Sequence, residues 1–316
     1  NGMHIAIVGA GGVGGYFGGR LAQSGQDVTF IARGAHLNAI KENGLKVIST
    51  RGNFEINPAT ATADPHDTGT VDVILVAVKA WSVAEVAEMM RPMVGPNTCI
   101  LPLENGVDAP AQLTAVYGSE QVLGGLCRVI SHIGEPGYIQ HHGGDDFIAF
   151  GELNNQPSDR VEALGRVFSD AGLNVDLPKD IHAAMWAKFL FISAFSGVGA
   201  VTRVPAGATR ELPETRSMLE AAMIETYNVA IAQRIKLPQD AIATGMAAMD
   251  RQPPNGEASM QRDIMDGKPS ELESQTGAIV RLGKESNVPT PTHDFIYKSL
   301  LPQETKARER QPRPNN

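Results

Sequence analysis

Cysteine is nearly missing from this chain: 316 residues contain two, Cys99 and Cys127. Neither belongs to a CxxC or a Cys/His cluster, so the sequence offers no disulfide framework and no metal site of the usual spacing. A reducing compartment fits such cysteine usage. Basic residues are outnumbered, 27 against 35 acidic, for a formal net charge of −8; this argues against a duplex-binding surface, and no nucleic-acid partner is expected. The longest apolar run, Phe189 to Val201, is thirteen residues, short of the ~20 needed to span a bilayer. No charged n-region or cleavable apolar segment follows Met3. No membrane association is expected, therefore, and the location read from sequence is cytoplasmic. Repeats and low-complexity blocks are also lacking. Hydrophobic residues, by contrast, make up 42% and charged residues 20%, enough for more than one core and inconsistent with global disorder. At the usual ~100–200 residues per domain, the length suits two.

The first half alternates strands and helices. His4-Ile-Ala-Ile-Val-Gly9 is a continuous apolar run ending at glycine, as a strand buried on both faces would be. A glycine-rich turn and helix follow to Gly25, then a strand at Asp27–Ala32. Two short β runs flank Arg51-Gly52-Asn53 as a hairpin. Further strands are expected at Val71–Val78, Thr98–Leu103 and Gln121–Ile130, and the first two enclose a helix marked by Val83, Val86, Ala87 and Met90. Short links between such elements define a parallel sheet covered on both faces. Between Gly137 and Glu152 two close strands are expected to pair antiparallel; a helix at Asp159–Ala171 and a strand at Asn174–Leu177 follow. From about Lys179 strand patterns disappear, and four or five helical patterns run to about Leu301. The reading is a doubly wound, mostly parallel α/β domain over residues 3–179, an all-helical domain over 180–302, and a frayed polar tail over 303–316. The site is expected in the cleft between the domains.

Gly9-Ala10-Gly11-Gly12-Val13-Gly14 is a GxGxxG placed directly after a strand and before a helix. In that setting the three glycines serve different ends, namely a tight turn, close backbone approach to a pyrophosphate, and close helix–strand packing. The pyrophosphate would then meet the positive N-terminus of the helix. An NAD-selective site would offer Asp or Glu at the end of the second strand, to hold the ribose 2′-hydroxyl. Here the position reads Ile31-Ala32-Arg33-Gly34. A guanidinium binds a 2′-phosphate in bidentate fashion, so Arg33 points to NADP; the other reading is a solvated surface arginine.

Lys188 has Ala184 and Met185 behind it and Phe191 and Ile192 ahead, so it projects from an apolar helical face. Burial there would tune a lysine down towards use as a general acid, whereas snorkelling would leave its ammonium in solvent. Ser270 and Glu273 form an S-x-x-E capping box that would start a helix with Glu271 in its first turn, where acidic residues are favoured for dipole reasons alone. Ser259, at the start of a helix over Ser259–Asp266, is either an N-cap or a hydroxyl beside helix-terminal N–H groups that could hold a carboxylate. His141-His142, before Gly143-Gly144, is expected in a surface loop, and Trp81 and Trp186 in packing.

These motifs together resemble the ketopantoate reductase (2-dehydropantoate 2-reductase) family along nearly the whole chain. They are GAGGVGG at Gly9–Gly15, Val78-Lys79-Ala80-Trp81, Glu104-Asn105-Gly106-Val107, Trp186-Ala-Lys188, and Ser259-Met-Gln-Arg-Asp263 with Ser270-Glu271. The resemblance implies a Rossmann domain followed by a helical one. It implies that Lys79 and Asn105 lie where nicotinamide and substrate meet, that Lys188 is the catalytic lysine and Glu271 an active-site carboxylate, that Ser259 binds substrate, and that Arg33 selects NADPH. The family often carries asparagines one and two turns after the lysine, and another before the next glycine; here Ile192, Ser196 and Ala206 stand there, with Ile192 and Ser196 expected to line the substrate site. The leading expectation is an NADPH-dependent reductase of ketopantoate, with a 2-keto acid and a second copy of the chain as partners and no metal. A reductase of another 2-keto acid or an imine is the alternative raised by the missing asparagines. A non-catalytic dinucleotide sensor is a third, opposed by the retention of Lys188 and Glu271.

Overall fold

The computed structural model describes residues 2–311, which divide into two compact units, one comprising residues up to Ile181 apart from 105–107, the other Asn105–Val107 and the chain from His182 onward. In the first, β1 (His4–Val8), α1 (Gly12–Gln23), β2 (Asp27–Ile31), α2 (Gly34–Asn43), β3 (Leu45–Ser49), β4 (Phe54–Ile56), β5 (Thr60–Thr62), β6 (Val73–Val76), α3 (Val83–Met89), β7 (Cys99–Pro102) and α4 (Ala109–Tyr117) follow one another. They are succeeded by β8 (Leu123–Arg128), β9 (Ser131–Ile133), β10 (Tyr138–His141), β11 (Phe147–Glu152), α5 (Asp159–Asp170) and β12 (Asn174–Asp176).

The main sheet is all parallel in the order β5-β2-β1-β6-β7, with Val8 paired to Ile31 on one side and Val76 on the other. Side-chain alternation along β1 explains its unbroken apolar run. Ile5 and Ile7 enter the core formed with Phe17 and Phe30, while Ala6 and Val8 enter the core on the opposite face with Val83, Val86 and Leu113. The strand order reverses between β1 and β6, so the carboxyl ends of these two strands form the switch point at which doubly wound sheets bind ligands.

The strands at 138–152 correct the sequence reading. β10 pairs with β3 and β9, β11 with β8 and β12, in two separate small sheets. The link between them contains Gly143, Gly144 and Asp146, all at positive φ, which swings the chain from one sheet to the next instead of folding it back as a hairpin. Nor is His141 on a surface loop. It is buried in β10, stacked on the Tyr16 ring at 4.0 Å, with Nδ1 2.7 Å from Ser49 Oγ and Nε2 2.7 Å from Asp146 Oδ1. Burial holds the His141 imidazole below its ordinary pKa despite the Asp146 carboxylate.

The second unit is helical: α6 (Ile181–Thr202), α7 (Ala206–Glu211), α8 (Pro213–Ala232), α9 (Ala241–Arg251), α10 (Ser259–Met265), α11 (Ala278–Glu285) and α12 (Pro291–Glu309), with a π turn at Glu273–Gly277. Seven α-helices thus replace the expected four or five among the described residues; α7, at six residues, is too short to show a period, whereas α10 matches the helix expected from Ser259. α6, at 22 residues, is long and apolar enough to cross a membrane, but most of its apolar stretch is buried, with Phe189, Leu190, Ala194 and Val198 at the centre of the unit's core. The frayed tail is also corrected. α12 runs to Glu309, and Ile296, Leu300, Glu304 and Ala307 are its buried face at helical spacing. One member of that face is a glutamate, which hides the apolar period; residues 312–316 of the expected tail lie outside the described residues.

Candidate functional site

The glycine loop leaves β1 with Gly9 at φ +97°, where an added Cβ would stand 2.8 Å from the Ala77 carbonyl oxygen behind β6. At Gly14 a Cβ would lie 1.9 Å from the Gly9 carbonyl oxygen, so helix and strand approach as closely as backbone allows. Gly12 meets the Ser131 carbonyl in the same way, at 2.3 Å. Gly11 differs: a Cβ there would meet nothing within 4 Å. It is the N-cap of α1 and supplies no side-chain cap, which leaves open space beside the first-turn N–H groups of a twelve-residue helix. Those features fit a dinucleotide pyrophosphate. Val13 packs on the core below, and Ala10 is buried.

His36, which the sequence reading passed over, holds this loop from the side. Its Nε2 donates to the Ala10 carbonyl at 2.7 Å, and its Nδ1 accepts from the Gly137 N–H at 2.9 Å. The second bond fixes the neutral tautomer, and burial lowers the pKa in the same sense. Its signal was present in sequence only as a histidine one turn after Arg33.

Arg33 is exposed and takes the N-cap position of α2 at the carboxyl end of β2. Lys79 is exposed at the carboxyl end of β6, where it begins a 3-10 turn over Ala80–Ser82. The glycine loop, Arg33 and Lys79 therefore share the carboxyl edge of the parallel sheet. Trp81 belongs to the same turn and is 39% exposed, so it is not the packing residue expected; Trp186 is, edge-on to Phe189 at 5.5 Å.

Asn105 belongs to the helical unit, and its Oδ1 accepts a hydrogen bond from Lys188 Nζ at 2.9 Å. Lys188 is half-buried on α6, among Met185, Trp186 and Phe189 in sequence. Gly106, at φ +94°, lies so close to the 271–277 segment that a Cβ would be 2.9 Å from the Ser274 carbonyl oxygen. The Lys188–Asn105 pair thus sits beside the turn that carries Glu271. Glu271 is 9% exposed and its Oε2 accepts from Gln275 Nε2 at 3.3 Å.

The capping box expected at Ser270 is not formed. The Ser270 hydroxyl donates to Glu304 Oε2 at 2.6 Å and accepts from the Leu272 N–H at 3.2 Å. Glu273 instead accepts from the Tyr297 hydroxyl, and this bond, with burial, pushes the phenol up to about 12. The buried Glu304 carboxylate on α12 takes both the Ser270 N–H and its hydroxyl, which leaves the local box without its serine donor. Ser259 is likewise not a cap: it is the first residue of α10, after Ala258. Ile192 is half-buried against the helical core, Ala206 is buried, and Ser196 is fully buried with no hydrogen-bond partner for its hydroxyl.

A doubly wound sheet with a glycine cradle at its switch point, followed by a helical unit that presents a lysine and a carboxylate, is the architecture of a dinucleotide-binding oxidoreductase. The chain belongs to the ketopantoate reductase PanE/ApbA family. The family's N-terminal pattern matches residues 5–155, and that described as ketopantoate reductase PanE/ApbA C terminal matches residues 180–304. It is 31% identical over 298 residues to the uncharacterized oxidoreductase YkpB of Bacillus subtilis, covering 94% of this chain and 98% of that one. It is 29% identical to the 2-dehydropantoate 2-reductase of Mesorhizobium japonicum, over 93% of this chain and 95% of the relative. Among solved structures, the 2-dehydropantoate 2-reductase of Geobacter metallireducens superposes with a TM-score of 0.89 at 29% identity, covering 95% of this chain and 99% of that one.

Proposed function

We propose that this chain is an NADPH-dependent 2-dehydropantoate 2-reductase, which reduces ketopantoate to pantoate in the supply of pantothenate and coenzyme A. The observation that carries this reading is the Lys188 Nζ–Asn105 Oδ1 bond at 2.9 Å beside the turn of Glu271. An ammonium carries three donors, and Asn105 Oδ1 accepts from one of them while orienting the group. Bound dihydronicotinamide supplies the hydride. As the carbonyl carbon gains that hydride, negative charge grows on its oxygen; Lys188 Nζ stabilises the charge and delivers the proton that completes the alcohol. Asn105 holds the ammonium in position. Glu271 fixes a substrate hydroxyl or the lysine ammonium, Ser259 meets the carboxylate, and Lys79 adds positive charge on the cofactor side. The glycine loop Gly9–Gly14 takes the pyrophosphate, and Arg33 the 2′-phosphate.

A second reading, reduction of another 2-keto acid or an imine, is favoured by Ile192, Ser196 and Ala206. A site that lacks three amide side chains recognises a hydroxylated acid by fewer hydrogen bonds, and such bonds discriminate strongly. Steady-state rates with NADPH over a panel of 2-keto acids separate the two. Ketopantoate should give the highest kcat/KM by at least tenfold, a margin of about 1.4 kcal/mol. If it does no better than pyruvate-type analogues, the first reading fails. Lys188→Ala should lower kcat about a hundredfold or more on whichever substrate is best, and an unchanged kcat removes the mechanism.

A further inference from the structure

Gln275 is fully buried, and the two ends of its carboxamide are treated differently. Nε2 donates to Glu271 Oε2 at 3.3 Å, whereas Oε1 has no hydrogen-bond partner. Exchanging the two ends would set Oε1 against a carboxylate oxygen, so the orientation follows from the chemistry. A buried acceptor without a partner is unfavourable, and methionine or leucine of similar volume would fill the space without it. The amide is therefore kept for its N–H. Backbone geometry serves the same contact. Gln275 N–H donates to the Glu271 carbonyl at 3.0 Å, and two residues on Gly277 N–H reaches back five positions to Leu272 at 2.9 Å, opening the π turn in which Gln275 lies. Single π turns within helices are frequent at functional sites.

We propose that Gln275 is a positioning residue for the reaction: its Nε2–H holds the Glu271 side chain in one orientation. This rests on the reading of Glu271 as the active-site carboxylate. Gln275 has no exposed surface to offer a ligand, so it would act through Glu271.

Two variants test it, assayed from pH 5.5 to 9 with melting temperatures measured in parallel. Gln275→Met removes the donor and the unpaired acceptor together. It should melt at or above the wild-type temperature, yet lose about tenfold in kcat at every pH with KM changed by less than about threefold. Gln275→Glu restores a donor only while the new carboxyl is protonated, and two adjacent carboxyls retain a shared proton well above the ordinary range. Its kcat should approach the wild-type value at the acid end and fall away as pH rises, a pattern that a purely structural role would not produce. The proposal is overturned if Gln275→Met keeps kcat within twofold, or if Gln275→Glu and Gln275→Met give parallel pH profiles. If the wild-type enzyme reduces no 2-keto acid with either NADPH or NADH, the proposed function falls and this inference with it. Turnover by the wild type without an effect of either variant overturns the inference alone.

Discussion

Glu304 on α12 grips Ser270, the residue before Glu271. The Ser270 N–H is shared between the two carboxylate oxygens at 3.0 and 3.2 Å, and its hydroxyl donates to Oε2 at 2.6 Å. Arg308 closes the arrangement, with Nε on Glu304 Oε1 and a terminal nitrogen on the Ser270 carbonyl, both at 2.9 Å. The C-terminal helix thereby fixes the main chain from which Glu271 projects. Glu304→Ala should lower stability by roughly 1.5–3 kcal/mol, the scale of hydrogen bonds to a charged group, and should lower kcat as well. Urea denaturation and steady-state assay of the same preparation check both. A variant as stable and as active as the wild type would show that the grip is incidental.

How much of this was legible in sequence depended on how local each cause was. The glycine loop was readable because three glycines must answer to one strand–helix turn, and the structure gives Gly9 and Gly14 separate steric reasons. The parallel sheet followed from apolar runs that β1 and β6 satisfy by facing two cores. The Ser270 box failed because the carboxylate of a residue 34 positions away takes both Ser270 donors, and no local pattern encodes that distance. Local sequence points His141 to a loop because its partners, Tyr16, Ser49 and Asp146, come from three other segments. His36, Gln275 and Glu304 act through a few specific bonds each, which leave no periodic trace.

Glu225 offers a pH test of the helical unit. Burial alone would raise its carboxyl, but hydrogen bonds from the His293 ring and backbone and from Thr292 outweigh burial and hold it below the usual range. A depressed folded pKa means stability that is fully present above the unfolded value, about 4.3, and lost as pH falls from there through the folded value. Wild-type stability should therefore drop more steeply below about pH 5 than that of Glu225→Gln, with the gap between them narrowing as the carboxyl protonates. Guanidinium melts at pH 7 and at successively lower pH measure the gap; a constant difference would contradict the assignment.

Arg33 decides cofactor choice in the proposed function. It is exposed at the carboxyl end of β2, and no acidic side chain stands among Ala32, Arg33 and Gly34 to take a ribose 2′-hydroxyl. Arg33→Ala should raise KM for NADPH by about tenfold or more while changing that for NADH by less than about twofold, since only the former carries the 2′-phosphate. Equal changes for both cofactors would take Arg33 off the phosphate.

Gly11 and Gly14 separate binding from folding within one loop. At Gly14 an added methyl would overlap the Gly9 carbonyl oxygen at 1.9 Å, an obstacle that is backbone and not the end of a flexible side chain. Gly14→Ala should therefore destabilise the first unit by at least about 1–3 kcal/mol, as overpacking does, and lose dinucleotide binding as a consequence. At Gly11 the backbone is at φ −75°, ordinary for any residue, and the added methyl would meet no protein atom within 4 Å. Gly11→Ala should fold with stability within about 0.5 kcal/mol of wild type. Its methyl would, however, stand in the space through which the loop backbone approaches the pyrophosphate, so NADPH affinity should fall by at least about tenfold. Thermal melts with and without NADPH distinguish the two: Gly14→Ala lowers the melting temperature of the free protein, whereas Gly11→Ala leaves it in place and abolishes most of the rise that NADPH gives the wild type. A Gly11→Ala protein that NADPH stabilises as strongly as the wild type would mean that the pyrophosphate does not lie over this turn.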